Sequence, residues 1–341
     1  MDLNSGHTGR AELVDFHAHF LTERFVQEAQ SAGVVHPDGM PGWPNWSIAE
    51  HEQLMADTGV RRAVLSISSP GVYFGDQDAA VSLSRHVNEY AAAICREKPS
   101  KFGFFASLPL PAVEAATDEA AYAIDTLGAT GVALLTNTAG RYLGDPALDP
   151  LWELLDRRHA LAFVHPTSPP NAAAIKLDLP RPMLEFMFET TRTVTDLMFS
   201  GVIDRYPGVR FVIPHCGAAL PILADRIQLI RDMLSASAGR ATGPLSTREQ
   251  LRQFWFDLAG APLPAQAAAI TAAVGSDRIV YGSDCCWTPA PMVLNQVSAL
   301  DAEASAVLGS DWRELTTANA ERLLERDSGV APDESDQRLR S

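Results

Sequence analysis

The sequence predicts an α/β protein with (β/α)8 TIM-barrel architecture. Eight short β-rich runs recur along its 341 residues, and stretches with helical spacing of apolar side chains separate them. Strands that alternate with helices in this way build a parallel sheet. Most of the runs are also continuously apolar rather than alternating, as strands covered on both faces are.

In chain order, the predicted strands are 12–19 (ELVDFHAH), 62–68 (RAVLSIS), 102–108 (FGFFASL) and 131–136 (GVALLT). They continue with 161–165 (LAFVH), 209–214 (VRFVIP), 254–258 (FWFDL) and 278–282 (RIVYG). Between the second and third, residues 76–97 place Val81, Leu83, Val87, Tyr90 and Ile94 at helical spacing and stop before Pro99. Residues 112–127 are Ala-rich with acidic residues early, which suits a helix N-terminus, and 149–158 reads as a further amphipathic helix. An open doubly wound sheet competes, but no GxGxxG follows any strand.

One catalytic barrel is expected over 12–325, with a lid loop near 31–50 that contains HPDGMPGWPNW. A second long loop, 166–182, also follows a strand. Both fall at the C-terminal face of a barrel, where active sites are built. Residues 1–11 and the polar stretch 326–341 are expected to be mobile tails.

Composition narrows the function. The net charge of −15, from 27 basic and 42 acidic residues, argues against nucleic acid and anionic membranes as partners. Four cysteines without a CxxC pair make no disulfide framework. No apolar run is long enough to span a bilayer, and the polar start has no signal-peptide core, so a cytoplasmic location is expected.

The chemistry concentrates at strand ends. His17 and His19 stand two apart on the first strand and therefore share a face. Two converging imidazoles begin a metal site, although a structural His pair is the commoner meaning of HxH alone. His165 ends the fifth strand, His215 the sixth and Asp284 the eighth. Singly, each could bond a loop carbonyl or cap a helix. Together, five metal-competent groups from four strands meet at one mouth of the barrel.

This arrangement resembles the amidohydrolase superfamily, whose strands 1, 5, 6 and 8 supply HxH, His, His and Asp. Binuclear members carry a carboxylated Lys at the end of strand 4. Here that strand runs into Thr136 and Asn137, and the three lysines of the chain are Lys98, Lys101 and Lys176. The resemblance therefore implies one divalent ion, Zn²⁺ first and Mn²⁺ second, on His17, His19, His165 and Asp284, with His215 beside it. Finer segments resemble the decarboxylase branch, which includes aminocarboxymuconate-semialdehyde, 5-carboxyuracil, γ-resorcylate and 6-methylsalicylate decarboxylases. They are HPDGMP (36–41), SISSPG (66–71), ASLPLP (106–111), YLGDP (142–146), RPMLEF (181–186), PHCGAALP (214–221), DLAG (257–260) and TPAP (288–291). The similarity is greatest to 6-methylsalicylate decarboxylases.

The resemblance implies a metal-dependent, non-oxidative decarboxylase acting on a small aromatic acid, working as a homodimer. Asp284 and His215 are then the catalytic candidates, and a neutral, proton-donating Asp284 would need a raised pKa. The same donors would also serve a hydrolase that activates water. Among substrate-binding candidates, Phe20 and Trp287 could flank an aromatic ring, Arg181 could pair with a carboxylate, and Asn137 could bond a substrate oxygen. Each also has a plain packing or capping role open to it. The chain departs from the branch at Cys285-Cys286-Trp287, where an aromatic–Pro pair is common.

Overall fold

The computed structural model describes residues 11–175, 177–238 and 245–325. The expected tails, residue 11 excepted, lie outside the described residues. Eight strands form one parallel sheet in sequential order. They are β1 Leu13–His19, β2 Val60–Ser66, β3 Phe102–Ser107, β4 Gly131–Leu135, β5 Leu161–His165, β6 Arg210–Ile213, β7 Trp255–Asp257 and β8 Ile279–Val280. Helices cross over between most neighbours, so the expected (β/α)8 barrel is the observed one. The second strand starts two residues early, and the eighth is only two residues long. The chain past β8 nevertheless closes the ring. Tyr281 O accepts from Phe16 N at 3.0 Å, and His17 O accepts from Asp284 N at 2.7 Å. Asp15 Oδ1 takes the His17 and Ser283 N–H groups at 2.9 and 3.1 Å, which ties β1 to the same segment.

Two buried apolar clusters reflect the pleat. Val14, Phe16, Val64, Phe105, Phe163, Val212 and Val280 fill the barrel interior. Leu13, Ala63, Leu65, Phe104, Val132 and Ile213 pack outward against the helices. β1 breaks its own alternation. Its pairing with β2 slips between Asp15 and Ala18, and beyond the slip the odd-numbered His17 and His19 take the inward phase that Val14 and Phe16 held. Such slips re-aim side chains next to functional sites. Gly282 permits the result, because a Cβ there would lie 2.7 Å from His17 Cβ.

The lid loop leads into the helix Ile48–Thr58, capped by Ser47. His51 on this helix is 3% exposed and accepts the Trp46 indole N–H at 3.2 Å. Burial, helped by nearby His19, pulls its pKa from 6.5 down to about 4. The unfolded chain therefore binds the proton first. Stability present above pH 6.5 is lost as pH falls towards 4, by roughly 3 kcal/mol. His51→Gln keeps an acceptor for Trp46. It should flatten the pH dependence of the denaturation midpoint between pH 6.5 and 4; an unchanged slope would assign that acid sensitivity elsewhere.

Among the described residues no helix is long and apolar enough to cross a membrane.

Candidate metal centre

Three imidazoles and one carboxylate meet at the C-terminal mouth. The donor atoms of His17, His19, His165 and Asp284 all lie within 4.8 Å of one another. Asp284 Oδ1 is 3.4 Å from His17 Nε2 and 3.3 Å from His19 Nε2.

Each ring is oriented by its other nitrogen. His17 Nδ1 lies 2.8 Å from Asp257 Oδ2, and an ionised carboxylate only accepts, so Nδ1 carries the proton. His165 Nδ1 likewise donates to the Pro166 carbonyl at 2.7 Å. His19 Nδ1 is 2.9 Å from Ser66 Oγ, whose own hydroxyl donates to Ala18 O at 3.3 Å. All three rings thus turn an unprotonated Nε2 toward the common point, that of His165 lying 3.4 Å from Ser68 Oγ. His17 Nε2 and His19 Nε2 are buried and without a hydrogen-bond partner. Buried nitrogens of this kind are costly unless something fills their lone pairs, and a cation does so.

The electrostatics agree. Burial raises the Asp284 pKa, but the imidazoles around it, His17 foremost and then His19 and His215, outweigh it and hold the carboxyl well below its usual range. Burial also lowers His19 and His165, the latter well below 6.5, which keeps both uncharged. At His17 burial opposes charge, yet Asp257 and Asp284 carry the pKa up to about 10. Two carboxylates therefore create a demand for positive charge at this spot, and a divalent ion meets it while leaving the imidazoles neutral. A proton-donating Asp284 would need a raised pKa, and the surrounding imidazoles act in the opposite direction.

His215 and Asp284 both adopt left-handed backbone conformations, with φ of 54° and 58°. Such strain persists where surrounding contacts hold it. Asp257 is one such contact: its Oδ1 accepts from His215 N at 2.8 Å and from Ala259 N at 2.9 Å. His215 Nε2 is 3.9 Å from Asp284 Oδ2, and Thr288 Oγ1 donates to that oxygen at 3.3 Å.

A cavity of about 400 Å³ opens on the cluster, with His165, His215, Asp284 and Trp287 in its wall. Three expected substrate contacts are not in that wall. Phe20 packs against Trp46 and Tyr90, with ring centroids 5.9 and 6.1 Å away, because the pleat turns it opposite to His19. Asn137 donates to Glu189 at 2.9 Å and to Ser168 O at 3.1 Å, since the chain after β4 folds into a small hairpin over the helix Glu185–Phe199. Arg181 directs Nε to Ser168 Oγ at 3.1 Å. Sequence reasoning missed Asp257, Ser66 and Thr288. For Asp257 a signal existed: an acid ending the otherwise apolar run FWFD at a strand end.

The sequence profile described as amidohydrolase matches residues 14–326. The chain belongs to the amidohydrolase family. Among curated relatives, decarboxylase yanB of Aspergillus niger is 35% identical, over 94% of this chain and 86% of that protein. The 6-methylsalicylic acid decarboxylase acuB of Aspergillus aculeatus is 33% identical, over 92% of this chain and 96% of its own. A solved amidohydrolase II structure superposes with a TM-score of 0.85 at 30% identity, covering 92% of this chain and 99% of that one. In this amidohydrolase, three neutral nitrogens and one carboxylate oxygen fit a single divalent cation, with room for further oxygen donors on the cavity side.

Proposed function

We propose that this amidohydrolase is a metal-dependent, non-oxidative decarboxylase of small ortho-hydroxybenzoate acids such as 6-methylsalicylate. The observation that carries the reading is the three-His, one-Asp cluster opening into a cavity of about 400 Å³, large enough for a substituted single ring. The two decarboxylase relatives, similar over most of the chain, support it.

Direct loss of CO2 from such an acid would leave an aryl carbanion. Protonating the carboxylate-bearing carbon first avoids it, and aromaticity returns as CO2 leaves. A divalent ion held by His17, His19, His165 and Asp284 would supply Lewis acidity to the acid's oxygens. Asp284, ionised at rest, takes the phenolic proton as substrate enters and returns it from its carboxyl oxygen to the ring carbon. Thr288 Oγ1, which donates to Oδ2 at 3.3 Å, orients that carboxyl group, and His215 stands beside it with Nε2 3.9 Å from the same oxygen. Proton transfer of this kind is worth about 10²–10⁴-fold. Zn²⁺ is the first candidate ion for a nitrogen-rich set, and Mn²⁺ the second.

Turnover in D2O tests the reading. The expected result is CO2 plus a phenol bearing one deuterium at the former carboxyl carbon. Solvent ¹⁸O in the product of an ester or lactone, with no CO2 from any salicylate, would make the protein a hydrolase instead.

We also propose a cytoplasmic homodimer. Met183, Phe188, Phe199, Ile222 and Met233 are exposed apolar side chains on and beside the helices Glu185–Phe199 and Leu220–Ala238. A monomer rarely leaves many such side chains exposed together. Sedimentation should give twice 36.8 kDa; a monomer at micromolar concentration would remove the proposal.

A further inference from the structure

The cavity beside the metal cluster is lined mainly by apolar groups, among them Met40, Pro182, Met183, Phe186 and Trp287. Among the described residues, no Lys or Arg lines it, and its one acidic group apart from Asp284 is Asp38. Asp38 is held in place from outside the cavity. Its Oδ1 accepts from Ser168 Oγ at 2.5 Å, and Ser168 Oγ accepts from Arg181 Nε at 3.1 Å. The Arg181 guanidinium lies against the backbone of Gly39, where an added Cβ would come within 2.6 Å of Nη1. The backbone at Asp38 is left-handed, with φ of 52°. The arginine expected to bind a substrate carboxylate thus braces an acidic side chain of the cavity wall, joining the lid loop to the loop after β5.

We propose that Asp38 determines which aromatic acids the site accepts. It bars ring substituents that bear a second negative charge, and so restricts the substrate to monocarboxylates with neutral or apolar substituents. The inference rests on the decarboxylase reading for the identity of the acids, though not for the selection itself. The first carboxylate of a ligand finds its counter-charge at the metal cluster. A second finds no cationic side chain in the wall, and meets a like charge at Asp38. Like charges brought together in a site of low dielectric cost far more than in water. A methyl group at the same ring position meets no such penalty and buries apolar surface.

Asp38→Asn isolates the charge. Asparagine keeps an acceptor oxygen for Ser168 and tolerates the left-handed backbone. Two readouts are needed. The first is kcat/KM for matched salicylates that carry either a methyl or a second carboxylate at one ring position. The second is Kd by calorimetry for 3-methylbenzoate against isophthalate, which requires no turnover. The wild-type protein should prefer the methyl member of each pair by at least about tenfold, and Asp38→Asn should narrow that preference by about tenfold. Arg181→Met, which removes the brace and its positive charge, should not narrow it. Equal preferences in wild type and Asp38→Asn, or a wild type that favours the diacids, would overturn the inference. Should no salicylate be decarboxylated while the Kd preference still narrows in Asp38→Asn, the selection stands and the decarboxylase reading falls.

Discussion

Asp284→Asn is expected to lower kcat by about 10⁴-fold, the upper range of what one acid–base group contributes. Three losses coincide at this side chain. The carboxylate supplies the negative charge that balances a cation among three neutral imidazoles. In the proposed reaction it is the acceptor for the substrate proton, which an amide cannot take up near neutral pH. Its second oxygen also accepts the Thr288 hydroxyl, with His215 close by. The loss should persist at saturating metal, because restoring the ion does not restore the proton carrier. Single-turnover measurements with metal content determined on the same sample separate the two. A variant that binds the ion poorly but regains wild-type kcat when metal is added would reduce Asp284 to a ligand.

Asp257→Asn should weaken metal affinity by about 10–100-fold, the usual effect of removing a group that orients a ligating histidine. Both carboxylate oxygens are committed: Oδ1 to the His215 and Ala259 N–H groups, Oδ2 to His17 Nδ1. With Oδ1 of an asparagine serving the backbone donors, its NH2 must face His17. That ring can then only accept at Nδ1, which places its proton on Nε2, where the ion belongs. The expected signature is a weaker metal constant from competition with a chelator, together with an unchanged fold. An affinity equal to wild type would mean that Asp257 supports the strand end and not the tautomer.

Much of this site was legible because its donors sit at positions the barrel itself defines. HxH, His165, His215 and Asp284 each end a run of buried apolar residues, and strand ends in a parallel barrel converge whatever the loops do. The bracing contacts were not legible in the same way. Asp257 and His17 are 240 positions apart, and only the β1 register slip and the absence of a side chain at Gly282 bring them together. Phe20 was legible as a mistake, since the alternation that joins His17 to His19 sends residue 20 to the other face. Arg181 and Asn137 are different. Both lie in irregular segments, where no periodicity fixes direction, and their partners Ser168, Asp38 and Glu189 come from distant loops and a helix. The depressed pKa of Asp284 was equally hidden, because it depends on how many imidazoles surround one carboxylate.

The claim beneath all of this is that a single divalent ion sits at the meeting point of His17, His19, His165 and Asp284. Anomalous diffraction from crystals of the metal-loaded protein, recorded on both sides of the metal's absorption edge, tests it most directly. One peak per chain is expected, at ~2.0–2.2 Å from three Nε2 atoms and one Asp284 oxygen. No peak there, or a pair of ions bridged at the end of β4, would contradict it.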